Sequence, residues 1–533
     1  MSTNPEAAQK DWRQRAYGFK NNHNNFLKFV WRIIVTSFCV SRRNFLKGSA
    51  STIAVLSLPS LALGQTTTSY RLEWQQFKTT PQYASYINAV KKMKANTNAS
   101  DPSSWAYWNN VHANYCPHGV AYFLAWHRGY LYYFEQQLRK VSGDNALTVP
   151  YWNYYKYPTI PAEFTDPATG NPLYVSRAGT NVYNALSLSP FASTVWNFQR
   201  GTTNAFEPQI ESAPHNPVHN LIGGYMAGIN TSPLDPIFYL HHANIDRLFH
   251  AWALPDGKGI PYTSNPYNSA TSNLYWAGLF TYSSTLTMPR YKTYYPGWLS
   301  FDYADDTTPT SLPPSAKRNH ESPIKLVQAQ MAPVLTRPVV GDFPVTAARV
   351  ISATARSLGG VSGVVLAETS TSAHLPLTTS AVQSLQSAVA AAVSPPAQMT
   401  GNTYQSVRVV LDNLLLLGAG GNGGYFYNIY INLPLTGDAG NAQKYFLGTV
   451  GPFEVTTASH HGPATLEFQA TEVLSKLSTS ELQDVTVSFV RISGENPPRG
   501  AVLRIAEVRI DVSTDTAWDA SGPVPRQPGQ CYC

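Results

Sequence analysis

The stretch Cys116-Pro117-His118-Gly119-Val120-Ala121-Tyr122-Phe123-Leu124-Ala125-Trp126-His127-Arg128-Gly129-Tyr130-Leu131 decides how the chain is read. Leu124, Trp126, Leu131, Phe134 and Leu138 form an apolar stripe that predicts a helix over 123–141, with His127 on it. Pro117 argues that His118, nine positions earlier, arrives on non-helical chain. His112 would come from a preceding loop or helix end. A second cluster holds His215, His219 and His242. His215 and His219 are four apart, which on a helix puts both rings on one face. Alone, such a pair is as well explained by a solvated helix face. Together, the six fall at spacings that could place two metal ions side by side, and neutral imidazole suits copper, zinc, iron and nickel. A zinc protease needs Glu directly after the first His of the pair; Asn216 stands there, so that reading fails.

Read with their neighbours, the clusters argue for a dinuclear copper site and oxygen chemistry. The run from Cys116 to Leu131 resembles the first copper motif of tyrosinases and polyphenol oxidases. The run Asp235-Pro236-Ile237-Phe238 with His241-His242 and Asp246-Arg247 resembles their second, and Val149-Pro150-Tyr151-Trp152-Asn153 is similar to a segment between the two. The resemblance spans about 101–252. It implies a mainly α copper domain, a four-helix bundle holding two copper ions, with O2 as co-substrate. His112, His118 and His127 would bind one ion and His215, His219 and His242 the other, with His241 a non-ligand. No carboxylate joins the set to favour a hard metal.

Further roles follow from the same resemblance. Cys116 would form a thioether to His118; a buried free thiol is the alternative. Phe238 would pack against a ligand ring. Asp246, four after His242, would orient a ligand ring or else form a surface salt bridge within its helix. Ile229 matches the position that gates substrate entry. Glu211 and Asn216 match a pair that holds a water able to take the proton of a phenol, whose ordinary pKa near 10 otherwise leaves little phenolate; Glu211 at a helix start is the plain alternative. The implied activity is oxidation of o-diphenols to o-quinones, with o-hydroxylation of monophenols. The rivals are a catechol oxidase without hydroxylation, a hemocyanin-like oxygen carrier and a zinc hydrolase.

The chain has 533 residues, 43% of them hydrophobic, enough for two or three domains and large cores. Only 13% are charged, against roughly 25% in an ordinary soluble protein. The net charge of +7 does not indicate a nucleic-acid partner. The first 64 residues carry nine Lys and Arg against Glu6 and Asp11, so the remainder is near neutral. Ser41-Arg42-Arg43-Asn44-Phe45-Leu46-Lys47 resembles a twin-arginine export motif, followed by a weakly apolar stretch and an Ala62-Leu63-Gly64 site. That stretch is too short and Ser-rich for stable membrane insertion. The leader implies passage through an export machinery to the periplasm or outside. Of four cysteines, only Cys116 lies in the expected folded body; Cys39 sits in the leader, and Cys531 and Cys533 in the tail. No internal disulfide framework can form.

Composition divides the chain into a leader (1–64), the copper domain (65–305), a Thr/Pro/Ser/Lys-rich linker (306–344), a β-rich domain (345–513) and a flexible tail (514–533). Period-two patterning predicts strands at 407–411, 425–433, 445–450, 465–468, 485–491 and 501–512, packed as a sandwich or barrel, with a helix at 372–393. The region is similar, less specifically, to the shielding domain of larger polyphenol oxidases. Gly451-Pro452-Phe453 is its candidate plug over the copper site.

Overall fold

The structure is a computed structural model that describes residues 68–119, 121–201, 204–254, 275–314, 354–393, 403–434, 439–459 and 463–515. The leader, the C-terminal cysteines and most of the linker (from 315) lie outside the described residues. The helical part contains α1 (Gln82–Ala95), α2 (Trp105–Tyr115), α3 (Phe123–Ser142), α4 (Phe206–Ile210), α5 (Asn216–Ile222) and α6 (Ile237–Ala253). Strand β1 (Ser69–Arg71) pairs in parallel with β4 (Phe301–Tyr303), and β2 (Leu279–Thr281) pairs with β3 (Thr287–Pro289).

Local chemistry sets the helix ends. Ser104 caps α2 by accepting from the Ala106 amide at 3.2 Å, and Cys116, ahead of Pro117, turns the chain extended. Gly143, at φ 76°, closes α3 as only a residue without Cβ does freely. Asp235 caps α6 through the Ile237 amide (3.0 Å) while Arg177 grips the same carboxylate at 2.6 and 2.7 Å. The first half of α3 and nearly all of α6 are buried, and the charged side chains Arg128, Asp246 and Arg247 are enclosed with them.

One ion network ties these two helices together. Arg128 donates to Asp246 at 2.6 Å, Tyr303 donates to the other Asp246 oxygen at 2.5 Å, and Arg71 bridges to Glu135 at 2.9 Å. All these groups are buried. Asp246 therefore orients no ligand ring, and its salt bridge is neither superficial nor within its own helix. From Asp246, one turn beyond His242, the carboxylate reaches a buried guanidinium on α3. Truncating one member would strand a buried charge, at a cost of roughly 3–5 kcal/mol.

The C-terminal region is β-rich. One sheet runs β10 (Ala464–Gln469), β7 (Ser406–Leu416), β12 (Leu503–Ser513), β5 (Ala355–Leu366). The other runs β6 (Thr371–Leu375), β11 (Val485–Ser493), β8 (Tyr425–Ile431), β9 (Phe446–Val450), and every pairing in both is antiparallel. Helices accompany them, among them α7 (Thr379–Val393) and α8 (Pro452–Ala458). The expected helix at 372–393 is corrected at its start: 372–375 form the edge strand β6, and Pro376 precedes the helix. Gly423, at φ 76°, brings this region against the copper domain: a Cβ there would lie 2.5 Å from the Gly223 backbone. Among the described residues, no helix is long and apolar enough to cross a membrane.

Candidate metal centre

All six histidines singled out in the sequence meet in one buried cluster. His112 lies on α2, His118 on the extended chain after Pro117, His127 on α3, His219 on α5 and His242 on α6. His215 caps the start of α5, after a break at Ala213 (φ −158°, ψ 122°). Ring centroids within the first trio are 5.1–5.5 Å apart, and within the second 4.7–5.5 Å. The trios join where His127 stacks on His242, at 4.5 Å and 17° between planes. His242 also has its ligand atom within 4.8 Å of those of His112 and His127, so it stands between the two groups. His241 lies beside His215 and His219 and belongs by distance to the second group.

Four of the six rings are held in one tautomer. Nδ1 of His112 faces the Ile229 carbonyl (3.1 Å), Nδ1 of His127 the Phe123 carbonyl (2.7 Å) and Nδ1 of His219 the Met226 carbonyl (2.9 Å). His215 Nδ1 meets Asn216 Oδ1 at 2.7 Å. Those oxygens only accept, so each Nδ1 carries the proton and donates, leaving Nε2 as a lone pair. Nε2 of His215 and of His219 lie 3.4 and 3.3 Å from Nε2 of His242. Nε2 of His118 and of His127 are buried with no hydrogen-bond partner. Lone pairs that converge in this way make an arrangement suited to a bound cation.

Burial, first, and then the mutual repulsion of neighbouring rings hold His118, His215 and His242 well below the ordinary histidine value. Burial pushes His127 and His219 down to about 3. Neutral rings are the form that binds metal. With no carboxylate among the grouped donors, the set suits copper and not a hard cation.

Aromatic rings wall the cluster. Phe238 packs on His242 (4.1 Å) and His112 (5.0 Å). Phe123 packs on His215 (4.5 Å) and His127 (4.8 Å). Phe453, from the C-terminal region, stacks on His219 at 4.0 Å and 16°. Its backbone amide donates to Asn220 Oδ1 (2.9 Å), and Asn220 Nδ2 donates to the buried Glu454 (2.7 Å). Gly451 permits this approach, since a Cβ there would lie 2.6 Å from the Asn220 side chain.

The remaining sequence candidates are placed as follows. Cys116 Sγ lies 3.1 Å from His118 Nδ1, and the thiol is buried. Glu211 is buried, accepts from the Gly119 amide at 2.7 Å and pairs with Arg200. Asn216 bonds the His215 ring. Ile229 is fully buried and reaches the cluster through its carbonyl on His112. Sequence reasoning passed over Phe123, Asn220, Arg200 and Glu207. Only Glu207, one turn before Glu211, left a signal, as a second acidic residue in a stretch poor in charge.

Residues 82–188 and 168–254 match the family model for the common central domain of tyrosinase. A tyrosinase of Hahella sp. (strain CCB-MM4) is 32% identical over 241 residues, 33% of this chain and 52% of that protein. Polyphenol oxidase A1 of Vicia faba is 27% identical over 238 residues, 34% of this chain and 39% of that protein. An A-type hemocyanin of Enteroctopus dofleini is 32% identical over 178 residues, 28% of this chain and 14% of that protein. The chain thus spans about half or less of the relatives it matches. The solved latent apple tyrosinase aligns with 87% of this chain and 100% of its own, at 19% identity and a TM-score of 0.44. A helical segment that gathers six neutral imidazoles defines a type 3 copper protein. Residues 82–254 thus carry the likeness to the tyrosinase and polyphenol oxidase family, and the histidines gathered there suit the pair of copper ions that this family uses with O2.

Proposed function

We propose that the chain is a phenol oxidase that converts o-diphenols to o-quinones with O2 and also hydroxylates monophenols. The observation that carries this reading is the convergence of six buried, neutral imidazoles inside a wall of phenylalanines. His112, His118 and His127 would hold one copper ion and His215, His219 and His242 the other; bound there, the pair supplies the electrons that reduce O2. The chain's own work is to fix the rings through Nδ1, exclude water and present an apolar face to a phenol ring. The four-helix bundle and the sandwich-like packing of the C-terminal sheets belong to the same reading.

Hydroxylation requires the phenol to give up a proton. Glu211 and Asn216 support that step, since each Glu211 oxygen keeps a second lone pair for a water beside its present partner. The side chain of Ile229 is enclosed and its carbonyl is occupied, so the entrance role passes to Phe453, and the C-terminal region shields the centre. Export through the twin-arginine leader to the periplasm or beyond completes the reading, together with soluble phenolic partners and no nucleic acid. Cleavage in 306–344 that frees the C-terminal region should raise turnover.

The test is oxygen uptake by the copper-loaded protein with a catechol and with the corresponding monophenol. Quinone from both supports the proposal, with Glu211→Gln depressing hydroxylation far more than catechol oxidation. Catechol turnover alone would leave a catechol oxidase. Reversible O2 binding without turnover would leave a carrier.

A further inference from the structure

The peptide unit joining Phe123 to Leu124 is held on both sides. Its carbonyl accepts the Nδ1 proton of His127 at 2.7 Å, and its amide donates to Glu207 Oε1 at 3.4 Å. Leu124 is the second residue of α3, where a backbone amide has no partner within the helix. The residue before the helix, Tyr122, sits at φ 83° and offers no side-chain cap. Glu207 supplies that cap from α4, 83 residues away in sequence.

Glu207 is itself firmly placed. It is fully buried, accepts from Tyr275 Oη at 2.8 Å and from the Arg200 amide at 3.1 Å. One turn on, Glu211 takes the Arg200 guanidinium and the Gly119 amide, next to His118. Two carboxyls on the chain leading to His215 thus grip the chain that leads from His118 to His127.

We propose that Glu207 is a positioning residue for His127, acting through the Phe123–Leu124 peptide. An acceptor on the amide polarises the peptide and strengthens its carbonyl as an acceptor, as in any hydrogen-bonded chain. The stronger carbonyl fixes the Nδ1–H tautomer and makes Nε2 a better donor to a metal. Outer partners of this kind typically set metal affinity by roughly 10–100-fold. The inference rests on the copper reading given above.

The test uses the copper-loaded full chain, titrated with a Cu(I) chelator. Wild type, Glu207→Gln and Glu207→Ala are compared by copper retained per chain and by hydrogen exchange at the Leu124 amide. In Glu207→Ala, one of the two coppers should leave at about tenfold lower chelator concentration, with faster exchange at Leu124. Glu207→Gln, which keeps an oxygen acceptor, should recover most of both. A plain structural cap would lower the unfolding midpoint of the apo protein and leave copper release unchanged; that result overturns the proposal. If Glu207→Ala does not fold, Glu207→Leu, which fills the space without an acceptor, takes its place, and wild-type values for both copper release and Leu124 exchange in that variant overturn the proposal. Failure of the wild type to take up two coppers would instead refute the copper reading, and the exchange measurement would still test the clamp.

Discussion

Phe453 lies face to face with His219, the two ring centroids 4.0 Å apart. The aromatic surface nearest the second histidine trio thus comes from the C-terminal region. A phenol that stacks on His219 must displace it. A stacked pair of rings contributes about 0.5–1.5 kcal/mol. Phe453→Ala should therefore raise catechol turnover at low substrate by roughly 2–10-fold. Steady-state rates at equal copper content check this, and unchanged rates would dismiss the plug.

His242 stands between the two trios, with His127 stacked on it. His242→Ala or His127→Ala should abolish phenol oxidation. Copper per chain should drop from two to one or fewer, because two imidazoles hold an ion weakly. Metal analysis after dialysis is the measurement. Full occupancy in either variant would mean that the ligand set is wrong.

Burial pushes the Glu207 carboxyl up to about 7, more than Arg200 pulls it down. The folded chain then holds a proton that the unfolded chain releases near the ordinary value of 4.5. Stability from this group is complete below that pH, declines as the pH rises and is lost above about 7. The difference across the window is about 3 kcal/mol. Urea midpoints at pH 4.5 and 7 should show a larger fall in wild type than in Glu207→Gln. Equal slopes would place the Glu207 pKa near that of a solvated carboxyl.

Cys116 Sγ and the His118 ring are already in contact. Copper-loaded protein exposed to O2, which takes up the two electrons and two protons, should become lighter by two hydrogens as the thiol and a ring carbon join, and Cys116 should resist alkylation. A freely alkylated Cys116 in that protein would establish a plain thiol.

The sequence carried much of the centre because its ligands sit in short, local patterns. His118 and His127 flank a proline and a helix start; His215 and His219 are four apart; His242 lies in a long apolar helix. Strands β7 to β12 were legible within a few residues because they alternate. Strand β5, with Gly359, Gly360 and Gly363, was not, since glycine blurs the pattern. Asp246 was misread for a different reason. Its partners Arg71, Arg128 and Tyr303 are distant in the chain, and nothing local distinguishes a carboxylate that pins two helices from one that holds a ring. Glu207 and Asn220 act over 83 and 233 residues, beyond any spacing rule.

Three of the histidine rings are aimed by main-chain oxygens, those of Phe123, Met226 and Ile229. Every amino acid carries that oxygen. A residue-by-residue replacement survey would therefore score these three positions by the size and packing of their side chains and miss their part in aiming the rings. Replacing a single peptide link with an ester at the right place would expose it, because an ester carbonyl accepts a hydrogen bond poorly while every side chain stays as it was.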